Sequence, residues 1–173
     1  QHGAHHIRIA KDATEAAALW QGRKAAFPAV GRISPDYYCM DGTIPRSQVG
    51  HVLTRISELS QFYGLRVANV FHAGDGNLHP LILFDASIDG ELEQAELLGG
   101  DILTLCVDVG GTITGEHGVG LEKMPQMPYQ FGDAELAQFR RLKAAFDSEE
   151  LLNPGKAIPT LKYCQEYRSL QHG

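Results

Sequence analysis

Long apolar runs, paired cysteines and clustered basic residues are all scarce in this sequence, and each shortage removes a class of function. The longest apolar stretches, such as Pro80–Phe84, are far too short to cross a bilayer, which takes about 20 residues. The three cysteines, Cys39, Cys106 and Cys164, are odd in number and form no CxxC pair. They read as isolated thiols in a reducing cytoplasm rather than as a disulfide framework. Lys and Arg total 15 against 21 Asp and Glu, a net charge of -6 with the histidines neutral. Phosphate binding is driven by clustered cations, so no nucleic-acid partner is expected. No basic, then apolar, then small-residue pattern of a signal peptide opens the chain. It starts Gln1-His2-Gly3 and soon reaches Ile7-Arg8-Ile9, so residues 1–10 are expected to be a truncated N-terminal segment. No internal repeat or low-complexity stretch is present.

What remains is ordinary globular composition: 173 residues, 43% hydrophobic and 21% charged, enough for a real core. Asp12–Phe27 reads as a helix capped by Asp12 and stopped by Pro28, with Trp20 in the core. Asp36–Ile44 is strand-like. Pro45 opens a second helix whose apolar face is Val49, Val52, Leu53, Ile56 and Leu59, and Gly64 ends it. Leu65–His72 and His79–Asp85 read as strands joined by a glycine-rich turn. Asp89–Val109 is a long helix ended by Gly110-Gly111, and Thr112–Gly115 is a short strand. Asp133–Phe146 is a further helix, capped by Asp133. The order over residues 36 to 115 is β-α-β-β-α-β, which predicts an α+β fold: a ferredoxin-like antiparallel sheet with helices on one face. The expected organisation is a ferredoxin-like domain over residues 11–132 and a C-terminal helix and tail over 133–173.

Two constellations carry chemistry. In His72-Ala73-Gly74-Asp75-Gly76-Asn77-Leu78-His79, two histidines stand at the ends of two predicted strands. The turn between them returns the strand ends to within a few ångströms. Imidazoles sharing one face can hold Zn, Mn or Fe, although two histidines alone never fix a metal, and a hydrogen-bonded pair flanking a turn fits the same spacing. Asp75, between two glycines, is a turn residue before it is a ligand. The second constellation is Gly115-Glu116-His117-Gly118-Val119-Gly120. Glu116 can supply a carboxylate, and two His plus a carboxylate leave positions open for substrate. On an extended segment Glu116 and His117 point in opposite directions, so one would ligate while the other faces substrate. An imidazole can take a proton at neutral pH. Gly118-Val119-Gly120 lacks the third glycine of a dinucleotide loop. Arg23 and Lys24 late in the first helix, and Arg32 after it, are the cations available to an anionic substrate; Lys24 reads as a solvated face.

These residues carry a resemblance. Leu19–Lys24, Asp36–Pro45, Asn69–Pro80, Gly115–Gly120 and Leu152-Asn153-Pro154-Gly155-Lys156 all resemble the C-terminal domain of FAD-linked oxidases. That family includes D-lactate dehydrogenases, D-2-hydroxyglutarate dehydrogenase and bacterial glycolate oxidase. The likeness runs from about Ile7 to Thr160, and Asp36–Pro45 with Pro80–Asp85 most resembles the glycolate oxidase flavin subunits. It implies oxidation of a 2-hydroxy acid to a 2-keto acid. It implies a divalent metal on His72, His79 and Glu116, with His117 as the base. Arg23 would hold the substrate carboxylate, and Asn153 would lie near the flavin. FAD would be held mainly by a domain absent here, so the chain alone is expected to be inactive and to bind no FAD tightly. Leu81 stands where relatives taking longer acids carry a polar residue, which implies a small acid. Implied partners are the other glycolate oxidase subunits, including an iron–sulfur subunit, and a second copy in a homodimer. The implied location is the cytoplasm, at the inner face of the membrane through those subunits. The alternative is a non-catalytic ferredoxin-like module that binds a ligand or dimerises, which would leave His72, His79 and Glu116 far apart.

Overall fold

The computed structural model describes residues 6–159. Cys164 and the rest of the expected tail lie outside the described residues. Five strands and six helices follow in the order α1 (Ala13–Lys24), α2 (Ala26–Val30), β1 (Asp36–Cys39), β2 (Gly42–Thr43), α3 (Val49–Tyr63), β3 (Val67–Asn69), β4 (Asn77–Leu78), β5 (Pro80–Phe84), α4 (Glu91–Asp108), α5 (Met127–Gln130) and α6 (Asp133–Phe146).

The sheet is antiparallel, with β5 central between β1 and β3. β2 continues the line of β1 and pairs with β4, which leads into β5. Cys39 pairs with Leu81 and Gly42 with Leu78, so the register runs through the gap and sets Asp41 opposite His79. The expected fourth strand is reduced to one bridge, Thr112 with Thr43, reinforced by a 2.7 Å hydroxyl contact. Gly111 is required there, because a Cβ would stand 1.8 Å from the Thr43 carbonyl oxygen. With that bridge counted, the strand order is the ferredoxin-like one, and the α+β architecture is as the sequence predicts.

The two faces of the sheet differ. α3 and α4 cover one face, with Val52, Ile56, Leu98, Ile102 and Leu103 buried against Ile82 and Phe84. α6 joins the same core through Leu136 and Phe139. The other face carries Leu81 and Leu83 under Val30 and Phe27 of α2, beside Cys39, Ala68 and Val70. Helices therefore dominate one face, as expected, and α2 closes part of the second.

Several local expectations change. α1 ends at Lys24, and Pro28 sits inside α2 rather than stopping a helix, because proline is tolerated in a first turn, where the N–H lacks a helical acceptor. Asp12 caps α1 as predicted, its Oδ1 accepting the Glu15 N–H at 2.8 Å. Trp20 is not core: it is 64% exposed, and α1 buries no residue. The N-cap of α6 is Gly132, not Asp133, and Glu135 accepts the Gly132 N–H at 2.8 Å. Gly64 does end α3, in the left-handed conformation. Among the described residues no helix is long and apolar enough to cross a membrane.

Adjacent leucines on α4 offer a direct check of the core assignment. Leu98 has no exposed surface, whereas Leu97 is 61% exposed. Leu98→Ala is expected to lower the unfolding free energy by about 2–5 kcal/mol, and Leu97→Ala by about 0.5 kcal/mol or less. Urea melts of the two variants that gave equal losses would contradict this packing.

Candidate metal and proton-transfer site

The site forms where the β1–β2 line is interrupted opposite His79. Backbone pairing of His72 with Asn77 closes the turn and brings the two histidines together, their ring centroids 5.4 Å apart at 85°. Gly76 is indispensable to that closure: it has a φ of 73°, and a Cβ would lie 2.1 Å from the Ile44 carbonyl oxygen. The Gly115–Gly120 segment arrives from the end of α4 and lies over the hairpin. Gly115 fits because a Cβ would strike the Asn77 amide at 2.7 Å.

Glu116 Oε1 is the focus. It stands 3.2 Å from His79 Nε2, 3.7 Å from His72 Nε2 and 4.0 Å from His117 Nε2. The His117 ring stacks on His79, with centroids 4.9 Å apart and 22° between planes. His79 Nε2 also lies 3.4 Å from Asp41 Oδ1. Glu116 and His117 therefore converge rather than diverge, because their segment is a bend and not an extended strand. The non-catalytic alternative required His72, His79 and Glu116 to be far apart, and they are not. Asp75 is an exposed turn residue, its N–H donating to the His72 carbonyl.

These groups fit a divalent cation. His79 is 4% exposed, and its Nε2 makes no hydrogen bond despite two nearby carboxylate oxygens. A buried polar atom without a partner is costly. Two ligands held about 2.1 Å from one ion at a tetrahedral angle stand about 3.4 Å apart, the spacing found here. The four groups whose donor atoms all lie within 4.8 Å of one another are Asp41, His79, Glu116 and His117. His72 stands at the rim of that quartet and reaches it through Glu116.

Asp41, which the sequence reading passed over, has no exposed surface. Its Oδ2 accepts the N–H groups of Gly115 (2.9 Å), His117 (3.0 Å) and Glu116 (3.2 Å), the Thr114 hydroxyl (3.0 Å) and the Lys123 ammonium (2.9 Å). Burial alone raises a carboxyl pKa. The N–H of His117, the Lys123 ammonium and the N–H groups of Gly115 and Glu116 outweigh it and hold Asp41 well below the usual carboxylate range. His79 is held below the ordinary imidazole value, first by burial and then by His117, with Asp41 and Glu116 opposing. A neutral imidazole keeps the lone pair that a metal needs. The half-buried Cys39 thiol, on the same face, is pushed up to about 11 by burial and then by Glu122 and Asp41, so it stays protonated.

Comparison with known proteins gives the arrangement its context. The model of the C-terminal domain of FAD linked oxidases matches residues 1–157. The chain belongs to the FAD-linked oxidase family. It is 62% identical to glycolate oxidase subunit GlcD of Escherichia coli K12 over 173 residues, which are 99% of this chain and 35% of that protein. Glycolate oxidase subunit GlcD of Bacillus subtilis is 37% identical over 87% of the chain and 32% of its own length. The mitochondrial D-lactate dehydrogenase [cytochrome] of Arabidopsis thaliana is 32% identical over 92% of the chain and 28% of its own length. The chain thus spans about a third of the length of the curated relatives it matches.

The two remaining expected site residues, Arg23 and Asn153, are not among the groups that converge on Glu116. Arg23 is half-buried in the last turn of α1, and among the described residues its side chain makes no hydrogen bond or ion pair. α1 leads into α2, which covers the same sheet face that carries His79 and Asp41. Asn153 is exposed with a φ of 48° and borders a cavity of about 810 Å³ between α6 and Thr112–Thr114. That tail is tied to the site loop by the Ala157 N–H, which donates to the Gly120 carbonyl at 2.7 Å. Leu81, expected from the resemblance to bear on acid size, has no exposed surface and packs with Val30. Gly118-Val119-Gly120 leads into turns rather than a long helix, unlike the glycine loop of a dinucleotide site.

Both depressed groups make stability fall with acid. The unfolded chain takes up a proton on His79 near pH 6.5 and on Asp41 near pH 4, whereas the folded chain resists both. The contribution of His79 is therefore complete above about pH 6.5 and is lost as the pH falls below it. Urea midpoints measured with chelator at pH 7.5, 6 and 5 are expected to decline, and less steeply in His79→Gln. A midpoint that rose on acidification would refute the assignment of a neutral buried imidazole.

Proposed function

We propose that this chain is the substrate side of an FAD-dependent 2-hydroxy-acid oxidase that converts a small acid, glycolate or D-lactate, to the 2-keto acid. The observation that carries this reading is the convergence of three imidazole Nε2 atoms on Glu116 Oε1 in a chain of the FAD-linked oxidase family. In this reading His72, His79 and Glu116 hold a divalent cation, Zn, Mn or Fe. Such a cation would supply Lewis acidity that lowers the pKa of the substrate hydroxyl, and FAD, held by protein outside this chain, would accept the hydride.

The chain's own residues do the rest. His117, half exposed and stacked on His79, takes the hydroxyl proton at Nε2. Its backbone N–H is fixed on Asp41, so the imidazole is aimed before substrate arrives. Arg23 binds the substrate carboxylate through two parallel N–H donors; that its guanidinium has no hydrogen bond or ion pair among the described residues favours that role. Asn153 lies against the flavin, at the end of a tail tied to the His117 loop. Residues 11–132 act as the ferredoxin-like cap, and 133–173 return to the flavin domain. That the matching relatives are named as subunits of glycolate oxidase favours assembly with further subunits; in this reading one of them is an iron–sulfur protein and the assembly sits at the cytoplasmic face of the membrane. A homodimer is the other assembly this reading admits.

The test uses the full-length protein with its flavin and a panel of D- and L-2-hydroxy acids. Turnover is expected on small D-acids or glycolate. His117→Ala is expected to lower kcat by about 10²–10⁴-fold at unchanged flavin content, and Arg23→Met to raise KM. His79→Ala is expected to remove divalent metal from elemental analysis. Full activity in metal-free enzyme, or wild-type turnover by His117→Ala, would end the proposal.

A further inference from the structure

The groups at the site are held by surprisingly few bonds. Glu116 and His117 are both half exposed, and Gly118 and Gly120 beside them take left-handed φ values of 80° and 59°. Among the described residues, the hydrogen bonds made by Glu116 and His117 all run to one acceptor, the carboxylate of Asp41. The neighbouring Gly115 donates to that carboxylate and to the Asp41 carbonyl. Three successive N–H groups thus close around a single anion, the concave arrangement by which backbone binds anions elsewhere. Behind it, Lys123 is 1% exposed. Its ammonium reaches the Asp41 carboxylate, the Asp41 carbonyl at 3.4 Å and the Thr114 hydroxyl at 3.3 Å.

From this geometry we infer that Asp41 is a positioning residue, with Lys123 as its buried counter-ion, that fixes the Glu116–His117 bend over His79. The inference rests on the site reading given under Proposed function. The two oxygens of Asp41 are unequally engaged. Oδ2 takes the donors of the loop and Lys123, whereas among the described residues Oδ1 receives only the Glu116 N–H at 3.2 Å and faces His79 Nε2. The same side chain therefore spans the loop and the hairpin, and sets the distance between Glu116 and His79. Register makes this possible, since Asp41 stands across from His79 in the paired strands. Lys123 neutralises the negative charge, so that the cost of burying Asp41 is not met by the loop amides alone.

The test compares full-length flavin-containing protein with Asp41→Asn/Lys123→Met, a pair chosen so that no lone charge is left buried. Amide hydrogen exchange followed by mass spectrometry reports the loop directly. In the wild type, exchange over Gly115–His117 is expected to be slow although the segment lies at the surface. In the double variant it is expected to speed up there and not in α4, with kcat reduced about 10- to 100-fold and flavin content kept. Fast exchange over Gly115–His117 in the wild type overturns the proposal even if the double variant fails to fold. So does a double variant with wild-type exchange and kcat while His117→Ala is inactive. Wild-type kcat in His117→Ala, by contrast, removes the catalytic reading while loop exchange still decides whether Asp41 anchors the bend.

Discussion

A carboxylate with no access to water must find its hydrogen bonds within the protein, and Asp41 finds them in a segment more than seventy residues away. That demand organises the site. An unsatisfied buried carboxylate costs several kcal/mol, so the chain gains by bringing the amides of Gly115, Glu116 and His117 to it. Wherever those amides go, the side chains of Glu116 and His117 follow. The sheet supplies the other half, because the pairing of β1–β2 with β4–β5 puts His79 directly opposite Asp41. One buried anion thereby joins a hairpin to a remote bend.

The two faces of the sheet divide the work. The face under α3 and α4 is dry and closely packed, and it fixes the strand positions. The other face is covered by Phe27 and Val30 at one end and carries the polar cluster at the other. Polar groups are tolerable there because their pairing is nearly complete. Three buried side-chain atoms among the described residues make no hydrogen bond, and two of them, His79 Nε2 and Asn77 Oδ1, lie in the β4 hairpin; the third is Gln126 Oε1, just before α5. Under the proposed function a cation would satisfy the His79 atom.

Much of this was legible in the sequence. The spacing of Val49, Val52, Ile56 and Leu59 and the stop at Gly64 gave α3, and Gly110-Gly111 marked the end of α4. The hairpin histidines were legible because two strands and a glycine-rich turn leave their ends adjacent. The extent of the fourth strand was not legible, since β-branched Thr112, Ile113 and Thr114 look the same whether they pair along their length or through one bridge. Trp20 misled for a related reason: helical periodicity shows that a face is apolar, not what covers it. Asp41 and Lys123 were illegible. Asp41 falls within the Asp36–Pro45 stretch that carries the resemblance, but its role, like that of Lys123, comes from contacts that no short window contains. The convergence of Glu116 with His117 is not legible either, because adjacent residues diverge on an extended segment and converge only where the backbone bends.

In the proposed site His79 and Glu116, aligned by Asp41, face one cation position. Anomalous diffraction from crystals of the full-length protein grown with Mn²⁺ or Zn²⁺ measures this most directly. The account predicts one strong peak within bonding distance of both His79 Nε2 and Glu116 Oε1. A well-ordered site with no peak there, or with the cation bound elsewhere, would contradict it.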